Sequence, residues 1–217
     1  MIDMILDGIR RIADLGGPVV LLLVAISLLT LAVVLYKLWQ FAASGVGRHA
    51  ALREAVKAWD RGDRTAAREA LNRSRSYLRP VIDMAMSGQT DPARLEAEAE
   101  TRFARLEKGF RLLDSVAQLA PLLGLFGTVL GMISAFQSLQ DAGSQVDPSI
   151  LAGGIWVALL TTAVGLVVAM PTAVILSWFE ARMESERVLA ERAVHTILSP
   201  TGTGSEALQA EGAARHA

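Results

Sequence analysis

The sequence predicts an all-α integral membrane protein with three transmembrane helices. Three observations carry that prediction: three long uncharged runs, a composition of 52% hydrophobic residues with mean hydropathy +0.38, and basic residues crowded on one side of those runs. A net charge of -1 over 217 residues hides the last feature. The expected order is an N-terminal amphipathic segment (1–14), a first transmembrane helix (15–38), a cytoplasmic helical loop (39–111) and transmembrane helix 2 (112–140). An outer loop (141–149), transmembrane helix 3 (150–179), a cytoplasmic helix (180–199) and a disordered tail (200–217) follow.

In the first segment Ile2, Ile5, Leu6, Ile9 and Ile12 recur at helical spacing among charged residues. This fits either a short helix lying on the membrane surface or the frayed start of the first span. The following apolar run is long, and its start MIDMILDGIRR interleaves acids, unlike the short run and basic start of a cleaved signal peptide, so it is expected to stay as a span. Gly17-Pro18 opens it, and Tyr36, Lys37, Trp39 and Phe41 are expected to anchor its far end at the lipid headgroups. Being rich in Leu and Val, it is expected to be the most lipid-facing of the three.

From Lys37 to Arg111 the chain carries about fifteen lysines and arginines, which the positive-inside rule assigns to the cytoplasm. The N-terminus is therefore expected outside and the C-terminus inside. Apolar residues on either side of Gly62-Asp63 suggest a small helical hairpin with a solvated charged face. The positive-inside rule already accounts for the basic excess of Arg64–Arg79, which also carries Glu69, so no nucleic-acid partner is expected. Asp91-Pro92 is a helix start, and with no breaker recognised before Pro121 one helix is expected to run from there straight into the membrane. On this reading helices 2 and 3 both extend into the cytoplasm.

The second run, Ser115–Gln140, is about 26 residues long, more than a helix needs to cross the hydrocarbon layer. Ala120, Gly124, Gly127, Gly131 and Ser134 form a small-residue stripe at spacings of three and four, the surface that lets membrane helices pack backbone to backbone. The loop after it has no lysine or arginine, as an outer loop should. Asp147-Pro148 then opens the third run, where Ala158, Thr162, Gly165, Ala169 and Ala173 make a second stripe. Arginines from Arg182 onward return the chain to the cytoplasm.

None of the three runs contains an ionisable residue, so this chain by itself brings no proton acceptor into the membrane. Thr128, Thr161 and Thr162 can bond to water, to a neighbouring helix or to a partner's carboxylate, or back to their own helix carbonyls. The three histidines fall outside the spans without metal spacing, and the chain has no cysteine. With no nucleophile–base constellation either, neither an enzyme nor a metal or cofactor site is expected.

LAPLLGLFGTVLGMISAF at 119–136, with ALLTTAVGLVVAMP at 158–171, resembles the MotA/TolQ/ExbB proton-channel family. The three-span layout resembles its ExbB/TolQ branch. The resemblance implies a homopentamer in the bacterial inner membrane, with helices 2 and 3 around a central pore that holds two single-span ExbD/TolR-like subunits. A partner aspartate would carry the protons, and a TonB-like protein would carry force across the periplasm. By the same resemblance Thr128 and Thr162 match the pore threonines, with Thr161 a lesser candidate. Val157 stands where the branch commonly has a glutamate. Gly124, Gly127, Gly131 and Gly165 are the expected packing residues. Two other readings are a non-conducting membrane scaffold of the same architecture and a secondary transporter, the latter weakened by the lack of an internal repeat.

Overall fold

The computed structural model describes residues 2–88, 91–141 and 148–202, with side chains from residue 17 onward except those of 148 and 150. Within these bounds every regular element is an α-helix: α1 (Ile2–Ala43), α2 (Ala50–Asp60), α3 (Arg64–Arg73), α4 (Arg79–Met86), α5 (Pro92–Glu107), α6 (Phe110–Asp141) and α7 (Pro148–Leu198). The chain forms two compact units. One comprises 1–36 with 109–179, the other 37–108 with 180–217. Residues 142–147 of the outer loop, the tail beyond residue 202 and the side chains of the amphipathic segment lie outside the described residues, so those expectations concern positions the structure does not describe.

The first unit is built from the three apolar helices. Gly17 adopts φ 68° and ψ -169°, a conformation open to glycine, and so breaks α1 immediately before Pro18 starts its apolar part. Val19 and Leu23 of α1, Val116 and Ala120 of α6, and Val168 and Ala169 of α7 pack into one core. Phe110 stacks on Phe179 with ring centroids 5.6 Å apart. The outer surface is as apolar as the core, with Leu28, Trp156 and Val174 each more than 60% exposed. An apolar shell on helices long enough to cross the hydrocarbon layer is stable in lipid rather than water, which makes this a multi-pass membrane protein.

The second unit has an ordinary water-soluble core. α2 and α3 fold back around Gly62, whose φ of 86° makes the turn, and the Asp63 side chain accepts the Ala66 N–H at 2.9 Å to cap α3. Leu52, Leu71, Val81, Leu95, Phe103 and Met183 are among its buried side chains. α5 starts where Asp91-Pro92 directs, with the Asp91 carboxylate accepting the Ala93 N–H at 3.1 Å.

Two expectations are corrected here. Helix 2 does not run unbroken from Pro92 into the membrane: α5 ends at Glu107, Lys108 is extended (ψ 125°), and Gly109 takes φ 97°, which a residue with a Cβ rarely adopts. Lys37 is not a headgroup anchor. It is only 2% exposed, and its ammonium donates to the Leu106 carbonyl at 2.9 Å and to Gln40 Oε1 at 2.7 Å. The break leaves carbonyls of the last α5 turn without helical partners, and a cation there satisfies one of them while opposing the negative end of the helix. Trp39 and Tyr36 remain exposed at this level.

The hairpin's own charges lie at the surface, with only Asp60 half-buried, but a polar cluster outside the hairpin is buried. His49 and Glu186 are buried in direct side-chain contact through His49 Nε2, while Glu186 also accepts the Gly47 N–H at 3.1 Å and the Tyr77 hydroxyl at 3.0 Å. Arg182 lies 3.5 Å away, and His49 Nδ1 shares a 2.9 Å hydrogen bond with Ser76 Oγ. Burial alone pushes the Glu186 carboxyl up, but the His49, Tyr77 and Arg182 partners outweigh it and hold the group below its ordinary value. Burial, then the neighbouring carboxylate, pushes the Tyr77 hydroxyl up, so it stays a donor.

Glu186→Gln is expected to lower the stability of this unit by about 3 kcal/mol, because it strands buried partners of a charged group. The folded carboxyl is depressed, so its stabilisation is complete above the ordinary 4.5 and is lost as pH falls through the folded-state value. Thermal unfolding of both proteins in detergent should show a difference at pH 7 that shrinks below pH 4.5.

Candidate functional site

The site is built from two uncharged helices that touch at their backbones. Glycine stripes on α6 remove the side chains that would hold α7 away, as the positions of virtual Cβ atoms show. A Cβ on Gly124 would fall 2.9 Å from the Thr161 carbonyl oxygen, and one on Gly127 would fall 2.8 Å from Thr161 Cβ. On Gly131 it would meet Ala158 Cβ at 3.2 Å, and on Gly165 the Ala120 carbonyl oxygen at 2.6 Å. All four glycines predicted to pack therefore lie along the α6–α7 contact.

The threonines divide between this contact and its margin. Thr161 is 2% exposed and sits between Gly124 and Gly127. Its hydroxyl donates to the Ala158 carbonyl at 2.7 Å and lies 3.3 Å from the Gly124 carbonyl across the interface. Thr128 is half-buried, and its hydroxyl donates to the Leu125 carbonyl at 2.6 Å. Thr162 is also half-buried; its Cα lies 3.0 Å from where a Gly124 Cβ would be. The buried positions of α7 include Ala158, Gly165 and Ala169 of the expected stripe and, beside them, Thr161 and Val168, whereas Thr162 is only half-buried and Ala173 is exposed.

Val157 is half-buried and lines a cavity of about 420 Å³ with Gly131, Ser134, Gly154 and Thr161. Sequence reasoning did not single out Gly154, which packs against Ala135, or Ser138 and Gly153, which also border this cavity. A Gly-Gly pair inside an apolar helix was the available signal.

The chemistry open to this wall is limited. A hydroxyl has one hydrogen and two lone pairs, so Thr128 and Thr161, having placed their hydrogens on carbonyls, still offer acceptor capacity. No ionisable side chain lies between Ser115 and Gln140 or between Ser149 and Phe179. Among the described residues no group of His, Asp or Glu side chains could hold a metal ion.

The profile of the MotA/TolQ/ExbB proton channel family matches residues 58–192. The chain is 34% identical over 163 residues to the putative biopolymer transport protein ExbB-like 1 of Synechocystis, covering 71% of this chain and 64% of that protein. It is 32% identical over 132 residues to a putative ExbB homolog of Methanothermobacter thermautotrophicus, covering 57% and 46% of the two chains. To the Tol-Pal system protein TolQ of Pseudomonas aeruginosa it is 34% identical over 113 residues, covering 51% and 48%. The chain thus spans less than two thirds of the length of these relatives.

Gly165→Ala should destabilise the membrane unit by about 1–3 kcal/mol, because its new methyl meets backbone that cannot rotate away. Gly153→Ala has nothing within 4 Å of the new methyl and should be neutral or slightly stabilising. Thermal unfolding in lipid nanodiscs reads both; equal effects would show that the contact does not depend on close approach.

Proposed function

The chain belongs to the MotA/TolQ/ExbB proton channel family, and from that premise we propose that it is the multi-span subunit of a motor in the bacterial inner membrane, driven by the proton motive force. Its N-terminus lies outside and its charged unit in the cytoplasm. Five copies surround a central pore through α6 and α7, and two ExbD/TolR-like single-span subunits occupy that pore. Their movement energises transport or envelope processes at the outer membrane through a TonB-like or other periplasm-spanning protein.

The observation that carries this reading is the α6–α7 wall, with its close glycine packing, its hydroxyls and its lack of any ionisable group. An acid must come from a partner helix. Because Thr128 has its hydrogen on Leu125, its oxygen can accept from a protonated carboxyl but cannot donate to a carboxylate without breaking that bond. The wall therefore favours the neutral acid, and deprotonation weakens its hold. Such a difference lets each proton drive a change of position, with about 2.3 kcal/mol released per proton per 100 mV of membrane potential.

Thr128, Thr162 and Thr161 are assigned to the proton path, with Thr161 buried in the contact rather than at its margin. Val157 replaces an acid with an apolar side chain, so the path runs through the partner's carboxyl and the threonines. That same Val157, in a cavity bordered by glycines, favours the second reading, a scaffold of this architecture that conducts no protons.

Co-expression with the single-span partner and a pH-dye flux assay in liposomes separates the two. A conducting complex whose flux falls about tenfold or more in Thr162→Val supports the motor, as expected for loss of a group that acts in proton transfer. Unchanged flux would remove Thr162 from the path. A wild-type complex that never conducts, together with a Val157→Glu complex that does, would establish the scaffold.

A further inference from the structure

In the cytoplasmic unit, charge and apolar surface coincide in one groove. Glu96 and Glu100 of α5 and Glu184 and Glu191 of α7 border a cavity of about 330 Å³, whose apolar lining includes Phe103 and Val188. Val188 is 37% exposed; the other exposed large hydrophobics of this unit among the described residues are Leu38 and Trp39, which adjoin the first span. The one positive charge in the lining, Arg187, is held by Glu107 at 2.7 Å and Glu100 at 3.3 Å and stacks over Phe103. The groove therefore has an apolar floor and a net negative rim, which fits an occupant with basic side chains on an apolar stem.

The same chain presents such a surface elsewhere. From Arg61 to Arg79 there are six arginines and two acids, and all six arginines are exposed. Their ion pairs within the chain go to Asp83 and Glu54, and none reaches the four groove glutamates. Tyr77 of this stretch meets Phe103 of the groove floor edge-on at 6.1 Å, but among the described residues no ion pair joins its arginines to the groove glutamates, so the two sets of charge are left to pair between copies. A contact of that kind is heterologous, the head-to-tail type that closes into a ring when its rotation allows.

We propose that the groove between α5 and α7 receives the arginine-bearing α3 region of a neighbouring copy, and that this contact fixes how each copy is seated against the next in the assembly. This rests on the proposed multi-copy assembly and locates one of its contacts.

The test is a charge swap in the full-length protein with its partner, read by native mass spectrometry from nanodiscs. One variant reverses the groove (Glu184→Arg with Glu191→Arg), a second reverses the hairpin (Arg68→Glu with Arg75→Glu), and a third carries all four changes. All four side chains are exposed, so helix content by circular dichroism should stay unchanged. Each separate reversal is expected to raise about tenfold the concentration at which copies separate, and the combined variant to restore it, since several attractive surface pairs become repulsive and then attractive again. Assembly unaffected by either reversal, or not recovered in the combined variant, would overturn the contact while leaving the multi-copy motor standing. Copies that never assemble, even unmutated, would remove the motor reading itself. Intact assembly with loss of the single-span partner on groove reversal would assign the groove to that partner and also overturn the proposal.

Discussion

The membrane unit depends on the approach of two backbones. Where Gly124 faces Thr161 and Gly165 faces Ala120, the helices are close enough that a single methyl would strike a carbonyl oxygen. Lipid tails are as apolar as leucine, so burying apolar area gives membrane helices little reason to associate. Close van der Waals contact, and hydroxyls able to reach carbonyls across the gap, supply the attraction instead. The Thr161 hydroxyl illustrates both, bonded within its own helix and within 3.3 Å of the Gly124 carbonyl opposite.

The second, charge-rich unit is held by different forces, as its exposed charged surface requires. Its core is ordinary aliphatic and aromatic packing, but two buried charges organise the ends of its helices. Lys37 meets the carbonyl end of α5 just where Gly109 interrupts the chain. Glu186 gathers His49, Tyr77, Gly47 and Arg182 around one carboxylate, joining the α1–α2 turn, the α3–α4 connection and α7. Removing one partner from such a cluster leaves the rest desolvated and unpaired, which makes it strict about which chain conformation it accepts.

These two environments explain how charge is distributed over the chain. Acidic, basic and histidine side chains are absent from the three long uncharged runs, where an unpaired charge would cost several kcal/mol, and are abundant in the second unit. In our proposal this wall without its own acid receives a partner's acid, and the Thr128 hydroxyl, with its hydrogen on the Leu125 carbonyl, favours the protonated form. That division of labour is the core of the motor we propose.

Hydropathy and the Asp91-Pro92 start were sufficient to read off an all-helical membrane chain with three candidate spans and the start of α5, and the small-residue spacing picked out glycines that lie along the α6–α7 contact. These features are local, governed by the length of a run and the 3.6-residue period. The α7 register was harder, because spacings of three and four place both Thr161 and Thr162 near one face and only contact with α6 selects Thr161 for burial. The break at Lys108–Gly109 and the burial of Lys37 could not be read at all. A glycine inside an amphipathic run is tolerated in a helix, and a lysine at the end of a span ordinarily reaches for headgroups; only the α5 carbonyls brought to Lys37 by the fold decide otherwise. Composition and period alone determined what kind of helices this chain makes, because those depend on solvent and local geometry. Which glycine bends, which threonine is buried and which charge is internal depended on partners distant in sequence, and were decided by tertiary structure.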